Sequence, residues 1–325
     1  MQVQYYSVIS AYNGIEGIVL KFCQAMEIVI AFCKLTSNYM KSSICREILE
    51  DLAIWNTSFQ KNYLKPEKKK QGYWFAAVLV FVFFEFLSLP SYKNVFWIFP
   101  VIKESVECEF IIFLLRNIQE LFRVLNLQMS EYSTHLVDMQ KFQNRNDSQY
   151  HPKNDGDYTA RKIWLMKNLS LNHFKLVALS NNLNKYLSFN LLLTFMKLSV
   201  DFVHECHGLE RFWIAVKDVN NLGWIYICWI SYTFSHTSVL LYYWTSLEKE
   251  ANRTVILLHD VCNTFESKNK LQQEEFKYVR LMSNRCLTAK LKFTLHGCFP
   301  LDWSVIRNMM YSTVTYLIIL IQIKN

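Results

Sequence analysis

The reading of this chain turns on its last two dozen residues, Asp302 to Ile323, DWSVIRNMMYSTVTYLIILIQI. From Met309 to Ile323 the stretch carries no charge, and its second half is nearly all Leu and Ile. It is long enough to cross a hydrocarbon core, which takes about 20 residues. Ser312, Thr315 and Gln322 nevertheless lie inside it at helical spacing. A helix that meets only lipid has no use for a glutamine near its end, whereas a helix facing other helices or water does.

The rest of the composition fits several such segments. The 325 residues are 52% hydrophobic and 16% aromatic, with a mean hydropathy of +0.07. That average is what apolar spans separated by long charged connections produce. The net charge of +8 is spread between the apolar runs and forms no compact basic domain, which points to membrane topology and away from nucleic acid. Seven Gly and five Pro argue against a β-rich chain. The nine Cys include no C-x-x-C pair, so neither a zinc site nor a disulfide framework is indicated.

Taken in order, six apolar spans are legible, over residues 15–33, 73–90, 95–115, 186–204, 222–244 and 303–323. The first is interrupted by Glu16, Lys21 and Glu27, and its other reading is a soluble amphipathic helix. Glu85 lies inside the second. The third holds Glu104 and Glu107, which share a helical face with Ile111 and could line a watery cavity. Asp201 falls in the fourth and His236 in the fifth. Between spans lie polar connections at 34–72, 116–185 and 246–300; the middle one has a turn-rich centre, QNRNDSQYHPKNDGDY. These three hold 27 of the 35 Lys and Arg, so the positive-inside rule places them in the cytoplasm and the C-terminus outside. The sequons at Asn56, Asn146, Asn168 and Asn252 all fall in these connections and are expected to stay unmodified. The fold class expected is an all-α polytopic membrane bundle.

The C-terminal residues also carry a resemblance. Thr315-Tyr316, five apolar residues and Gln322 resemble the TY-x5-QF signature that closes the last helix of insect gustatory receptors, with Ile323 standing where that family has Phe. Leu291, Phe293, Gly297, Phe299 and Asp302 match its lead-in, and Arg123 to Leu127 (RVLNL) resembles a pattern after its fourth span. The resemblance implies a seven-span chemoreceptor subunit with a cytoplasmic N-terminus. The six legible spans align as its second to seventh, so the first is expected to be missing. It also implies a homo- or heterotetramer with other gustatory receptor subunits in the plasma membrane, gated by a small-molecule tastant and passing cations through a central pore lined by the last helix. On that helix Thr315, Ile319 and Gln322 fall on one stripe, with Ile318 beside it, and Tyr316 lies off it. Ile319 would then supply an apolar constriction and Gln322 an amide ring for a hydrated cation. Read from the residues alone, Thr315 and Gln322 would instead bond a neighbouring helix.

The ligand pocket is expected among Glu85, Glu104, Glu107, Asp201, His204, Trp224, Tyr226 and Trp229, since intramembrane acids are functional suspects and aromatics suit an apolar pocket. The aromatics among them have a plainer reading as an interfacial belt. The run His204-Glu205-Cys206-His207 has metal-ligand chemistry, but adjacent helical residues cannot converge on one ion, so no metal or cofactor is expected. No nucleophile, P-loop or dinucleotide motif suggests an enzyme. The segment Gln272 to Leu295 is implied to pack with Arg116–Leu127 and Trp164–Lys185 as an inter-subunit anchor. An odorant receptor of the same superfamily, a secondary transporter using Glu85, Asp201 and His236, and a truncated non-functional family member remain as alternatives.

Overall fold

A computed structural model of the chain describes residues 15–60, 95–145, 155–215, 222–264, 270–288 and 290–324. The 73–90 segment with Glu85, the lysine cluster at 65–70 and Asn146 lie outside the described residues. Within them the order is α1 (Ile15–Met40), α2 (Ser42–Gln60), α3 (Val95–Arg145), α4 (Asp155–Ala215), α5 (Leu222–Thr264), α6 (Lys270–Thr288), β1 (Thr294–Leu295), β2 (Phe299–Pro300) and α7 (Ser304–Lys324). The architecture is an all-helical bundle whose one described β element is a hairpin.

Helices α3, α4 and α5 have 51, 61 and 43 residues. At about 1.5 Å per residue they are roughly 75, 90 and 65 Å long, two to three times a hydrocarbon core of about 30 Å. Much of each helix must therefore stand outside a bilayer. Among the described residues one stretch, Lys167–Leu209, contains a window of mean hydropathy 1.3 that is long and apolar enough to cross. Its first part, Lys167 to Lys185, carries Asn168, Asn172, His173, Lys175, Asn181, Asn182 and Asn184, so the apolar length lies in its second part.

This helical continuity departs from what the sequence suggested. The polar region 128–162 is helical up to Arg145 and again from Asp155, and the short aromatic segment after His204 continues α4 to Ala215. A polar outer face hides a helix from hydropathy while the inner stripe still packs. On α3 that stripe is Leu114, Leu115, Ile118, Leu121, Phe122, Leu125 and Met129, all buried and recurring once per helical turn. Outside the apolar span, from Ile118 on, each such side chain contributes about 1.5–3 kcal/mol by leaving water.

The chain divides into two compact units. The first takes Met1–Glu47, Leu183–Leu241 and Phe293–Asn325; the second takes Ile48–Asn182 and Tyr242–Lys292. In the first, the Asn190 carboxamide donates to Asn38, and Lys41 Nζ donates to the Lys185 carbonyl at 3.1 Å. Residue numbers thus fall on α4 as they rise on α1, so these helices are antiparallel. In the second, Arg116 lies over the Tyr243 ring at 4.7 Å and donates to its hydroxyl. Gln119 donates to Ser246 at 2.8 Å, and Asn126 reaches Glu250 and Thr254. Numbers here rise together at a nearly constant offset, so α3 and α5 run parallel. Parallel neighbours separated by one intervening helix are what a chain reversing direction at each connection produces.

Packing in the second unit also brings α6 onto α4, where the Ser170 hydroxyl lies 3.0 Å from the Met282 sulfur. Met282, Ser283 and Cys286 form the buried face of α6, and burial pushes the Cys286 thiol up to about 12.

Candidate functional site

The matched lead-in residues each acquire a local reason. Leu291 and Phe293 are buried, and the Leu301 N–H donates to the Phe293 carbonyl at 3.0 Å to close the hairpin. His296 and Gly297 both take positive φ, 52° and 76°, with the Cys298 N–H returning to the Leu295 carbonyl at 2.9 Å. That turn needs left-handed backbone at both central positions, which glycine adopts without strain. Asp302 then caps α7: its Oδ1 accepts the Ser304 N–H at 2.8 Å. Phe299 stays exposed on β2.

Helix α7 has two unlike faces. Met309 and Thr313 are buried and Tyr316 is half-buried. The rest of the helix is exposed at Met310, Tyr311, Ser312, Val314, Thr315, Ile318, Ile319 and Gln322, Ile318 and Ile319 by about half. The Thr313 hydroxyl donates to the Met309 carbonyl and that of Thr315 to the Tyr311 carbonyl, both at 2.9 Å, so neither depends on another helix for its hydrogen bond. The stripe Thr315, Ile319, Gln322 therefore lies on the face that this chain leaves uncovered. The side chain of Ile323 lies outside the described residues.

On its covered face α7 meets α4 and α5. Met309 packs with Leu198 and Phe202, and Cys206 and Ile230 close the cluster. Beside it Glu205, only 8% exposed, receives the Thr233 hydroxyl at 3.4 Å to each carboxylate oxygen. Asp201, His204 and Trp229, three of the sequence candidates, lie in the same unit. Asp201 pairs with Lys197 at 3.6 Å on its own helix, His204 is half-buried, and Trp229 stacks edge-on to Tyr232 at 5.8 Å. Trp224 and Tyr226 lie on α5, with side chains outside the described residues. Glu104 and Glu107 belong to the other unit, where both are half-buried and Glu107 pairs with Lys103 at 3.7 Å.

Glu205, Thr233 and Met309 were missed as site residues. The signal for Thr233 was present in the polar run Thr233, Ser235, His236, Thr237 and Ser238 inside an apolar span. Helix spacing keeps His204, Glu205, Cys206 and His207 from converging on one ion, and the same spacing buries Glu205 while Cys206 packs against the Met309 cluster.

The sequon at Asn252 can also be judged. Its Nδ2 donates to the Leu291 carbonyl and its Oδ1 accepts the Leu291 N–H, each at 3.1 Å. The amide nitrogen that would carry a glycan is already committed to a backbone clasp. Endoglycosidase treatment of the expressed protein should leave the Asn252-dependent gel mobility unchanged, and a shift abolished by Asn252→Gln would refute the clasp.

No curated protein matches the chain. A family profile described as 7tm chemosensory receptor matches residues 24–325, from inside α1 through the hairpin and α7. The match covers nearly the whole of the chain, and the chain is a member of the 7tm chemosensory receptor family.

Proposed function

We propose that the chain is a gustatory-type receptor subunit of the plasma membrane that opens a cation pore when a tastant binds, in a homo- or heterotetramer with other gustatory receptor subunits. The observation that carries this reading is the division of α7 into a packed face at Met309 and Thr313 and a bare stripe at Thr315, Ile319 and Gln322. Four such stripes around an axis cover one another. Ile319 forms an apolar constriction that dewets when closed, and Gln322 supplies amides one turn outward.

The spans are those read from hydropathy, with the basic connections in the cytoplasm and the C-terminus outside. The ligand meets the outer halves of the earlier spans, among Glu85, Glu104, Glu107, Asp201, His204, Trp224, Tyr226 and Trp229. Movement of α4 or α5 there reaches the pore helix through Met309, because close-packed side chains transmit displacement.

Cysteine at Ile319 or Gln322 tests the pore. A charged thiol reagent applied during ligand-evoked current should reduce it by about half or more in each variant. The parent chain is the control, because Cys228 and Cys298 are already exposed. Unaltered current in both modified variants would remove α7 from the pore.

A further inference from the structure

A groove of about 540 Å³ runs between α2 and α4 in the second unit. Its volume is in the range of small-ligand clefts. One wall is a stripe of α4, Asn172, Lys175, Leu179 and Asn182, at i, i+3, i+7 and i+10. The other carries Asp51 and Trp55, one turn apart on α2. Leu179 is the buried floor and Trp55 is half-buried. Asp51, Asn172, Lys175 and Asn182 have no hydrogen-bond or ion-pair partner among the described residues.

We propose that this groove binds an extended peptide of about five residues, gripped by its main chain. A carboxamide offers one donor and one acceptor, the match for a peptide N–H and C=O. The chain itself uses that pairing where Asn252 clasps both main-chain groups of Leu291. Asn172 and Asn182 are ten helical residues apart, a rise of about 15 Å. In an extended chain the same distance takes between four and five residues, so two peptide groups facing the same way meet the two carboxamides. Between them an apolar side chain sits on Leu179 and Trp55. Lys175 and Asp51 carry opposite charges on opposite walls, and successive side chains of an extended chain alternate between faces, so the complementary peptide carries one acid and one base two residues to either side of that apolar side chain, on the face it shares with them. Only the peptide's access in the cell rests on the proposed cytoplasmic placement; binding to the purified receptor does not.

The probes are two fluorescent peptides, acetyl-Lys-Ala-Leu-Ala-Glu-amide and its charge-reversed order acetyl-Glu-Ala-Leu-Ala-Lys-amide, each also made with N-methylated backbone amides. They are titrated against the full chain in nanodiscs by fluorescence polarisation. One charge order binds more tightly, and N-methylation weakens it roughly tenfold, the equivalent of one lost clasp. Asn172→Ala with Asn182→Ala erases the difference between methylated and unmethylated peptide. Asp51→Lys with Lys175→Asp, which keeps both walls charged, inverts the preferred order. No binding of either peptide at millimolar concentration, or binding indifferent to both double variants, overturns the proposal. So does loss of chain–chain association in the Asn172/Asn182 variant without an effect on peptide, which would make the groove an interface between copies.

Discussion

Replacing Asn126 by Ala lowers the stability of the second unit by about 3 kcal/mol, read as a fall of roughly 6 to 12 °C in the Tm of the purified receptor. Asn126 is 3% exposed and uses its whole carboxamide. Nδ2 donates to the Glu250 carbonyl at 2.9 Å and to its Oε1 at 3.0 Å, while Oδ1 accepts the Thr254 hydroxyl at 2.6 Å. Thr254 is fully buried, so truncation strands polar groups that water cannot reach. Thr254 can turn back to its own helix for an acceptor, which keeps the loss from being larger. Asn126→Asp separates hydrogen bonding from shape. It keeps the volume and the bond from Thr254 but sets a carboxylate against Glu250, so it is destabilised at neutral pH. Acid partly rescues it by restoring a proton to donate. A Tm unchanged in both variants would mean that the clasp does not hold α3 to α5.

Acidification exposes the second large effect, at His173. The ring is 1% exposed between Phe122 and Phe174, edge-on to each with centroids 5.9 and 5.8 Å away, and neither nitrogen has a hydrogen-bond partner among the described residues. Burial pulls its pKa from 6.5 down to about 4. The folded state therefore holds the neutral ring, and below pH 6.5 the unfolded chain takes up the proton first. Stability is full above about pH 6.5, declines toward pH 4, and levels off below it, with roughly 3 kcal/mol lost across that window. His173→Leu keeps a similar volume without the titrating group. Its Tm should hold through the window where the parent declines, and should be no lower than the parent's at neutral pH, because an apolar isostere strands nothing. Parallel acid limbs in the two proteins would mean that the ring is not held neutral by its site.

Both residues were invisible in the sequence as anything but members of a polar helix. Asn126 sits in the RVLNL run noticed for its resemblance, but its partners are 124 and 128 positions away. Periodicity places a residue on a face; it does not say which helix meets that face. The same limit hid Glu205, whose partner Thr233 lies on the next helix, and hid the groove, whose walls come from α2 and α4.

The sequence by itself determined the helical class, the position of the last helix and the stripe that Thr315, Ile319 and Gln322 share, because apolar length and the 3.6-residue period are local properties. It also carried the hairpin lead-in, since Gly297 and Asp302 act within a few residues of themselves. Only the tertiary structure decided that Met309 and Thr313 are the covered face of α7, that α3 runs parallel to α5 and α1 antiparallel to α4, and that an asparagine clasps the Leu291 backbone. Those outcomes depend on contacts between residues far apart in the chain. Side-chain shape and hydrogen-bond satisfaction choose among packings that the hydrophobic pattern alone leaves equivalent.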